Sequence, residues 1–144
     1  MFKKILIPIS SDGLAKSEVH QLLRIIGPDV KKVTLLFVSD PFPPNIYSKY
    51  RDDILISEAK HQKACQLFAH QLFTKVGSKF EGKAYETCHV FNMNVANGIL
   101  EAAKKTKADL IAMASRKRKG LAGMFFGSDT HWVIVGTKLP VLVV

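Results

Sequence analysis

The sequence predicts an α/β fold, in which a doubly wound parallel sheet of five strands is covered by helices on both faces. Four short apolar runs have the length and the continuous hydrophobicity of buried strands, and a fifth segment alternates apolar and polar residues. The segments between these runs repeat apolar residues at helical spacing. Strands that alternate with helices are typical of parallel sheets, because a parallel connection must cross over the sheet. We therefore predict the element order β-α-β-α-β-α-β-α-β.

The first strand and helix lie at the start of the chain. The run from Ile5 to Ile9 predicts a buried strand. Residues 10–13, Ser-Ser-Asp-Gly, are typical of a helix N-cap, and we assign that role to Asp12. Gly27 and Pro28 end the helix. Its predicted inner face consists of Ala15, Val19, Leu22, Leu23 and Ile26.

The second strand is predicted from Val33 to Val38, and a proline-rich loop follows it. After that loop, helical periodicity extends from Asp52 to Val76. Gly77 and Ser78 end this second helix. Its predicted inner face consists of Ala64, Leu67, Phe68, Leu72 and Val76.

The remaining elements complete the alternation. The third strand, around Lys83 to Phe91, alternates apolar and polar residues as an edge strand does. A third helix follows, and its inner face consists of Val95, Ile99, Ala102 and Ala103. Strand four is predicted from Asp109 to Met113, the last helix from about Ser128 to Thr137, and strand five from Pro140 to Val144.

Length and charge restrict the class of protein. The 144 residues suit one domain, 1–144. The formal net charge of +9 favours anionic partners, without selecting among nucleotides, nucleic acids and acidic surfaces. No apolar run reaches the roughly 20 residues of a membrane span. The start of the chain is typical of a first strand and not of a signal peptide, so we expect a cytoplasmic protein. We find no motif for a metal site.

The most informative segment follows strand four. There, Ala114-Ser115-Arg116-Lys117-Arg118-Lys119-Gly120 leads through an apolar stretch to Gly127-Ser128 and the last helix. A strand that runs into a glycine-containing loop and then into a helix N-terminus is typical of a phosphate site. The backbone N–H groups and the helix dipole there both favour an anion. In a doubly wound sheet, ligands bind beyond the carboxyl ends of the strands.

Several segments together resemble the universal stress protein family over nearly the full length of the chain. They are Lys4-Ile5-Leu6-Ile7-Pro8, Ile99-Leu100-Glu101-Ala102-Ala103, Ala108-Asp109-Leu110-Ile111-Ala112-Met113, Gly127-Ser128 and Pro140-Val141-Leu142-Val143-Val144. The resemblance implies a Rossmann-like α/β fold. It also implies that the chain belongs either to a branch that binds ATP or to one that lacks that ability.

The ATP-binding pattern of the family resembles G-x2-G-x9-G-[S/T]. On this sequence its first two glycines fall on Ala114 and Lys117, while the last glycine and the serine are Gly127 and Ser128. The family's acidic residue after the first strand, two positions past Pro8, falls on Ser10. That acid usually addresses the adenosine end of the nucleotide, so three expected positions depart from the pattern.

The energetic cost of the two lost glycines and the gain from the neighbouring basic residues are of similar size. A left-handed conformation at a lost glycine would cost a side chain about 1–2 kcal/mol. A charge-assisted hydrogen bond from residues 116–119 to phosphate would contribute about 1.5–3 kcal/mol. Asp129 would repel a triphosphate, although it would equally suit the first turn of a helix without a ligand. Ser128 suits both a phosphate ligand and a helix N-cap. The sequence leaves retained and lost nucleotide binding open.

Three hypotheses follow from the resemblance. The first is a regulatory or protective binding module with a degenerate pocket for ATP or another adenine nucleotide. The second is a protein-interaction module that binds no nucleotide. The third is a slow ATPase or autophosphorylating protein, although the sequence offers no positioned base or pair of metal-binding carboxylates for efficient turnover. The candidate nucleotide-binding residues are Pro8, Ser10, Val38, Met113, Ala114, Ser115, Arg116, Lys117, Gly127 and Ser128.

The last strand predicts a partner. Val141 to Val144 is apolar and carries no charged residue that would prevent edge-to-edge pairing. Together with the resemblance, it predicts a homodimer through this strand. We interpret Trp132 as core or interface packing. The basic cluster has no interleaved aromatic residue and no nucleic-acid-binding motif surrounds it, so nucleic-acid binding is not predicted.

Overall fold

The computed structural model describes residues 2–42, 51–114 and 126–144, of which residues 51–56 and 126–127 are described in their backbone alone. The strands are β1 (Lys4–Pro8), β2 (Lys32–Ser39), β3 (Glu86–Phe91), β4 (Leu110–Met113) and β5 (Val141–Val143). The helices are α1 (Lys16–Ile25), α2 (Arg51–Gly77), α3 (Val95–Lys105) and α4 (Phe126–Gly136). A short 3₁₀ turn, Ser78–Phe80, follows α2.

All strand pairings in the sheet are parallel, and the strand order is β3-β2-β1-β4-β5. This confirms the predicted fold class, and it confirms β3 as an edge strand. The chain builds from β1 outward to β3, then returns to the other side of β1 for β4 and β5. The order therefore reverses between β1 and β4, and such reversal points open a crevice beyond the carboxyl ends of the strands.

Each face of the sheet packs against its own helices. On one face, alternate strand residues such as Ile7 and Leu35 join the inner sides of α1 and α2. On the other face, Leu6 and Ile111 join α3 and the α4 residue Val133. The period of two along each strand produces this division, because successive side chains point to opposite faces.

A single carboxylate aligns the two central strands at their amino ends. Asp109, just before β4, accepts hydrogen bonds from the backbone N–H groups of Lys3 and Lys4 at 2.9 and 3.0 Å. Its own N–H donates to the Lys4 carbonyl at 2.9 Å. These bonds fix the register in which Leu6 lies opposite Ile111.

Helix α1 begins later than the sequence predicts. Its N-cap residue is Ala15 and not Asp12, so that assignment was wrong. The capping interaction comes from the third helical residue, because the Glu18 carboxylate accepts the Ala15 N–H at 2.7 Å. A carboxylate in the first turn also suits the positive end of the helix dipole.

The predicted inner face of α2 is correct only near its carboxyl end. Leu72 and Val76 are buried, as predicted, beside Ala69 and Phe73. Ala64 is exposed, and Leu67 and Phe68 are 59% and 42% exposed, so their assignment to the core was wrong. Leu67 lies 200° around the helix from the buried Ala69, so its side chain points away from the sheet. The helix is also longer than the strand that it covers. A helix of 27 residues spans about 40 Å, and a strand of 8 residues spans about 26 Å. The first turns of α2 therefore extend past the carboxyl end of the sheet.

Within the described parts of the chain, no helix combines the length and the apolar character that crossing a membrane requires.

Candidate functional site

A hollow of about 550 Å³ opens where β2 ends, beneath the overhanging part of α2. Its volume lies within the range of about 300–1,000 Å³ that is typical of small-molecule sites. The turn after β1, the end of β2, the middle of α2 and the first residue of α3 all contribute to its wall. The lining residues are Ser11, Phe37, Val38, Ser39, Asp40, His61, Ala64, Cys65, Phe68 and Val95.

The apolar wall of the hollow combines an aromatic pair and a valine. The Phe37 and Phe68 rings lie 5.5 Å apart between centroids, at an angle of 51°. Val38 contributes from the end of β2, and Gly98 of α3 lies directly against it. A Cβ atom at Gly98 would meet Val38 Cγ1 at 2.8 Å, so the absence of a side chain there lets α3 approach this wall closely.

On the α2 side, His61 links the helix to the end of β2. Its Nε2 atom lies 2.8 Å from the Asp40 carbonyl oxygen and 3.5 Å from Cys65 Sγ. A carbonyl oxygen can only accept, so Nε2 carries the proton and donates it. This bond ties the overhanging part of α2 to the loop after β2 and keeps the hollow open between them.

A serine–histidine pair lies at the edge of the hollow. Ser39 Oγ and His89 Nε2 are 2.7 Å apart. Ser39 is the last residue of β2, and His89 comes from the neighbouring strand β3. Burial lowers the pKa of His89 below its ordinary value, so the imidazole is neutral at pH 7.

The predicted residues on the central strands lie at the carboxyl end of the sheet. Pro8 ends β1 and Met113 ends β4. Ala114 follows, 1% exposed, within the cluster beneath α1 and α2, so its methyl group belongs to the core. Ser10 is buried, and its hydroxyl lies 3.5 Å from the Gly13 carbonyl oxygen inside the same turn. Among the candidate residues that the structure describes, Val38 is the one that lines the hollow.

The candidate phosphate-binding residues divide into two groups. Ser115, Arg116 and Lys117 lie outside the described residues. Gly127 and Ser128 lie in the first turn of α4, which begins at Phe126. Ser128 is therefore the third helical residue and not the N-cap. The first-turn N–H groups of a helix have no intrahelical acceptor, so this turn can still receive an anion.

A carboxylate beside that turn opposes highly charged ligands. Asp129 also lies in the first turn of α4. Burial raises the pKa of its carboxyl group above the ordinary value. The cost of ionising a half-buried carboxyl group would grow further with each negative charge placed next to it.

Sequence reasoning missed most of the residues that line the hollow. Ser39 comes from a strand end, His61 from a helix position that was not a candidate, and Phe68 from the stripe that periodicity had assigned to the core. The available signal was His61, Cys65 and Phe68 at spacings of four and three, which places them on one side of α2.

A second distinctive surface is apolar and exposed. Trp132, Ile134 and Val135 of α4 are exposed, as is Val143 of the edge strand β5. Trp132 therefore does not pack in the core of this chain. Of the two alternatives for Trp132, core or interface packing, interface packing remains a prediction.

The strand order and the hollow beyond the strand ends define a Rossmann-like α/β protein. The chain belongs to the universal stress protein family, whose family model matches residues 1–144. This confirms the resemblance. A curated relative, Universal stress protein MJ0531 of Methanocaldococcus jannaschii, is 28% identical over 144 residues, which are 100% of this chain and 82% of the relative.

Solved structures show the same fold. The hypothetical protein MJ0577 matches with a TM-score of 0.69 and 22% identity, over 100% of this chain and 96% of that chain. A universal stress protein in complex with cAMP matches with a TM-score of 0.62 and 15% identity, over 99% and 96%. One from Archaeoglobus fulgidus in complex with dAMP matches with a TM-score of 0.59 and 14% identity, over 98% and 96%.

Proposed function

We propose that this universal stress protein is a regulatory or protective binding module that holds an adenine nucleotide at the carboxyl end of its sheet. The observation that carries the proposal is the hollow beneath α2, whose wall includes Val38, one of the candidate nucleotide-binding residues. Two solved relatives of the same fold are complexes with adenosine monophosphates, cAMP and dAMP.

The chemistry of the hollow suits a nucleobase. A base has two apolar faces and a polar edge, so it requires flat apolar walls and a few hydrogen-bonding groups. Phe37, Phe68 and Val38 supply the walls. Ser11 and the Asp40 backbone supply polar groups at the rim. The Ser10 hydroxyl faces the Gly13 carbonyl oxygen within its own turn. Ser11 and the Asp40 backbone therefore replace Ser10 as the candidate contacts to the adenosine.

The charge near α4 favours a short phosphate chain. The first turn of α4 can receive one phosphate through backbone N–H groups at the positive end of the helix. A triphosphate would place more negative charge near Asp129, which is already costly to ionise. We therefore infer that AMP and its cyclic form bind more tightly than ATP.

Filling the hollow tests this proposal. Ala64 lines the hollow and is exposed on α2, so A64W would occupy the ligand space while sparing the core. Gln66 is also exposed, but it lies 200° around the helix, and Q66W is the matched control. AMP at 100 times its Kd would stabilise the native chain by about 2.7 kcal/mol, a rise in Tm of about 5–10 °C. We expect this rise in the native chain and in Q66W, and its loss in A64W.

Thermal melting with AMP, cAMP, ADP and ATP at millimolar concentration provides the measurement. The nucleotide proposal fails if none of them shifts the native midpoint. The assignment to this hollow fails if A64W keeps the full shift. If ATP gives the largest shift, the inference from Asp129 is wrong.

We also propose that the chain forms a homodimer through β5. Its Val143 side chain and the neighbouring α4 residues Trp132 and Val135 are exposed and apolar. An apolar edge strand without charged residues is a template for pairing with a second copy. We expect V143K to convert the dimer to a monomer in light scattering after size exclusion. I25K, at an exposed isoleucine of α1, should remain dimeric. A monomeric native chain at micromolar concentration would contradict this proposal.

A further inference from the structure

The pair formed by Ser39 and His89 has the arrangement of a nucleophile and its general base. The 2.7 Å between Oγ and Nε2 lies within the range of about 2.6–3.2 Å in which a proton can pass between them. Ser39 is 6% exposed, so bulk water barely competes for its hydroxyl. Both residues lie on regular strands, which hold reacting groups more precisely than loops do.

The imidazole ring of His89 is fixed by its aromatic neighbours. The Phe37 ring lies 6.0 Å away and nearly parallel, at 25°, and the Phe91 ring lies 4.8 Å away. Phe37 occupies the register position opposite His89 on β2, so these contacts follow from the strand pairing. The ring is neutral at pH 7, since burial lowers its pKa, and a neutral imidazole can accept the serine proton.

The pair lies at the edge of the hollow. Among the described residues, Ser39 lines the hollow and its hydrogen-bonded partner His89 does not. Val95, the first residue of α3, lines the same space. The amino-terminal end of α3, which is capped by Asn94, therefore lies at the edge of the hollow, where the helix dipole favours negative charge.

We infer that Ser39 and His89 form a catalytic pair that takes an acyl group from an activated ester bound in the hollow. Ser39 Oγ forms a bond to the carbonyl carbon, and its proton passes to His89 Nε2. The bond from that carbon to the leaving oxygen then breaks, and the leaving oxygen takes the proton from His89. The products are an acyl ester on Ser39 and a free alcohol or phenol.

Water completes the cycle. His89 accepts a proton from a water molecule, whose oxygen attacks the acyl carbon. The bond to Ser39 Oγ breaks, Oγ recovers the proton from His89, and a carboxylic acid leaves. This activity goes beyond the proposed nucleotide binding and does not depend on it, although both use one hollow, so a bound nucleotide would protect Ser39.

Covalent labelling tests the pair directly. The full chain is incubated with a fluorophosphonate, whose phosphorus is attacked by an activated serine with loss of fluoride. Intact mass and peptide mapping then locate the adduct. We expect one adduct, on Ser39, and none in S39A. General-base catalysis contributes about 10²–10⁴-fold, so H89Q should slow labelling at least 100-fold. The matched controls are S17A and H70Q, at exposed helix positions, which should label at the native rate.

A second measurement separates chemistry from folding. Far-UV circular dichroism and Tm identify any variant that fails to fold, and H89Q keeps a side-chain amide that can hydrogen-bond Ser39. Hydrolysis of p-nitrophenyl acetate should show a burst of phenolate that is absent in S39A. An adduct on another residue, no adduct in the native chain, or an unchanged labelling rate in folded H89Q would overturn the inference. Nucleotide protection is scored separately, so failure of the proposed function leaves this result interpretable.

Discussion

Helices α2 and α3 cover opposite faces of one sheet, and they pack against it in different ways. Helix α3 is short, and small residues on its inner side, including Gly98 and Ala102, bring it close to the strands. Helix α2 is more than twice as long, and at about 40 Å it exceeds the 8-residue strand β2 that it follows. The comparison shows how this fold separates stability from binding. The helix that fits the sheet closes the core, and the helix that exceeds it creates a hollow.

The largest expected effect contrasts one apolar residue from each helix. Ile99 of α3 is fully buried, and Leu67 of α2 is mostly exposed. I99A should cost about 2–5 kcal/mol of unfolding free energy, because it leaves a cavity in a packed core. L67A should change it by less than about 0.5 kcal/mol. Urea unfolding measures both. Equal losses of unfolding free energy in I99A and L67A would mean that Leu67 packs against the sheet, as the helical periodicity suggested.

A smaller effect is expected at the glycine that lets α3 approach β2. In G98A the new methyl group would lie 2.8 Å from Val38 Cγ1, so the helix or the valine must move. Overpacking of this kind costs about 1–3 kcal/mol, although alanine favours the helix by about 1 kcal/mol. We expect a net loss of stability and weaker AMP binding, because Val38 lines the hollow.

The matched glycine control is G27A, since a Cβ atom at Gly27 would meet nothing within 4 Å. Thermal melts of both variants, with and without AMP, give the two quantities together. If G98A is as stable as the native chain, the close approach of α3 is unimportant.

The smallest expected effect is a pH dependence of the unfolding free energy. It arises from His89, which lies on the face of the sheet that α2 covers. Burial lowers the pKa of His89 in the folded chain, whereas the unfolded chain titrates at the ordinary value near 6.5. Below that value the unfolded state binds more protons, so stability falls as the pH decreases. Urea unfolding between pH 7.5 and 5 should show a steeper decrease in the native chain than in H89Q. H70Q should retain the native slope.

The strands were predictable because burial on both faces leaves a continuous apolar run. Val33 to Val38 falls within β2, and the alternation around Lys83 to Phe91 identified β3 as an edge. The exposure of Leu67 and Phe68, near the middle of α2, was not predictable from the sequence pattern. Leu67 and Phe68 continue the helical period, and the sequence does not indicate where the sheet beneath a helix ends.

The sequence predicted a site at the carboxyl end of the sheet, at the ends of strands one and four, whereas the hollow lies at the end of β2. Reversal of strand order places ligands at the carboxyl ends, and Val38 was a candidate because it lies near the end of the second strand. The pair of Ser39 and His89 carried no local signal, because 50 residues separate the two and only the pairing of β2 with β3 brings them together. Lys117, the second substituted glycine position, lies outside the described residues.

The carboxylate of Asp109 has a consequence at the far end of the sheet. Shifting β4 by one residue against β1 would displace it by about 3.3 Å and turn every side chain to the opposite face. Asp109 prevents that shift by holding the N–H groups of Lys3 and Lys4. The alignment by Asp109 at the amino ends of the strands therefore decides which side chains flank the crevice between Pro8 and Met113, one strand length away. Loops around the crevice can vary in sequence without disturbing that alignment.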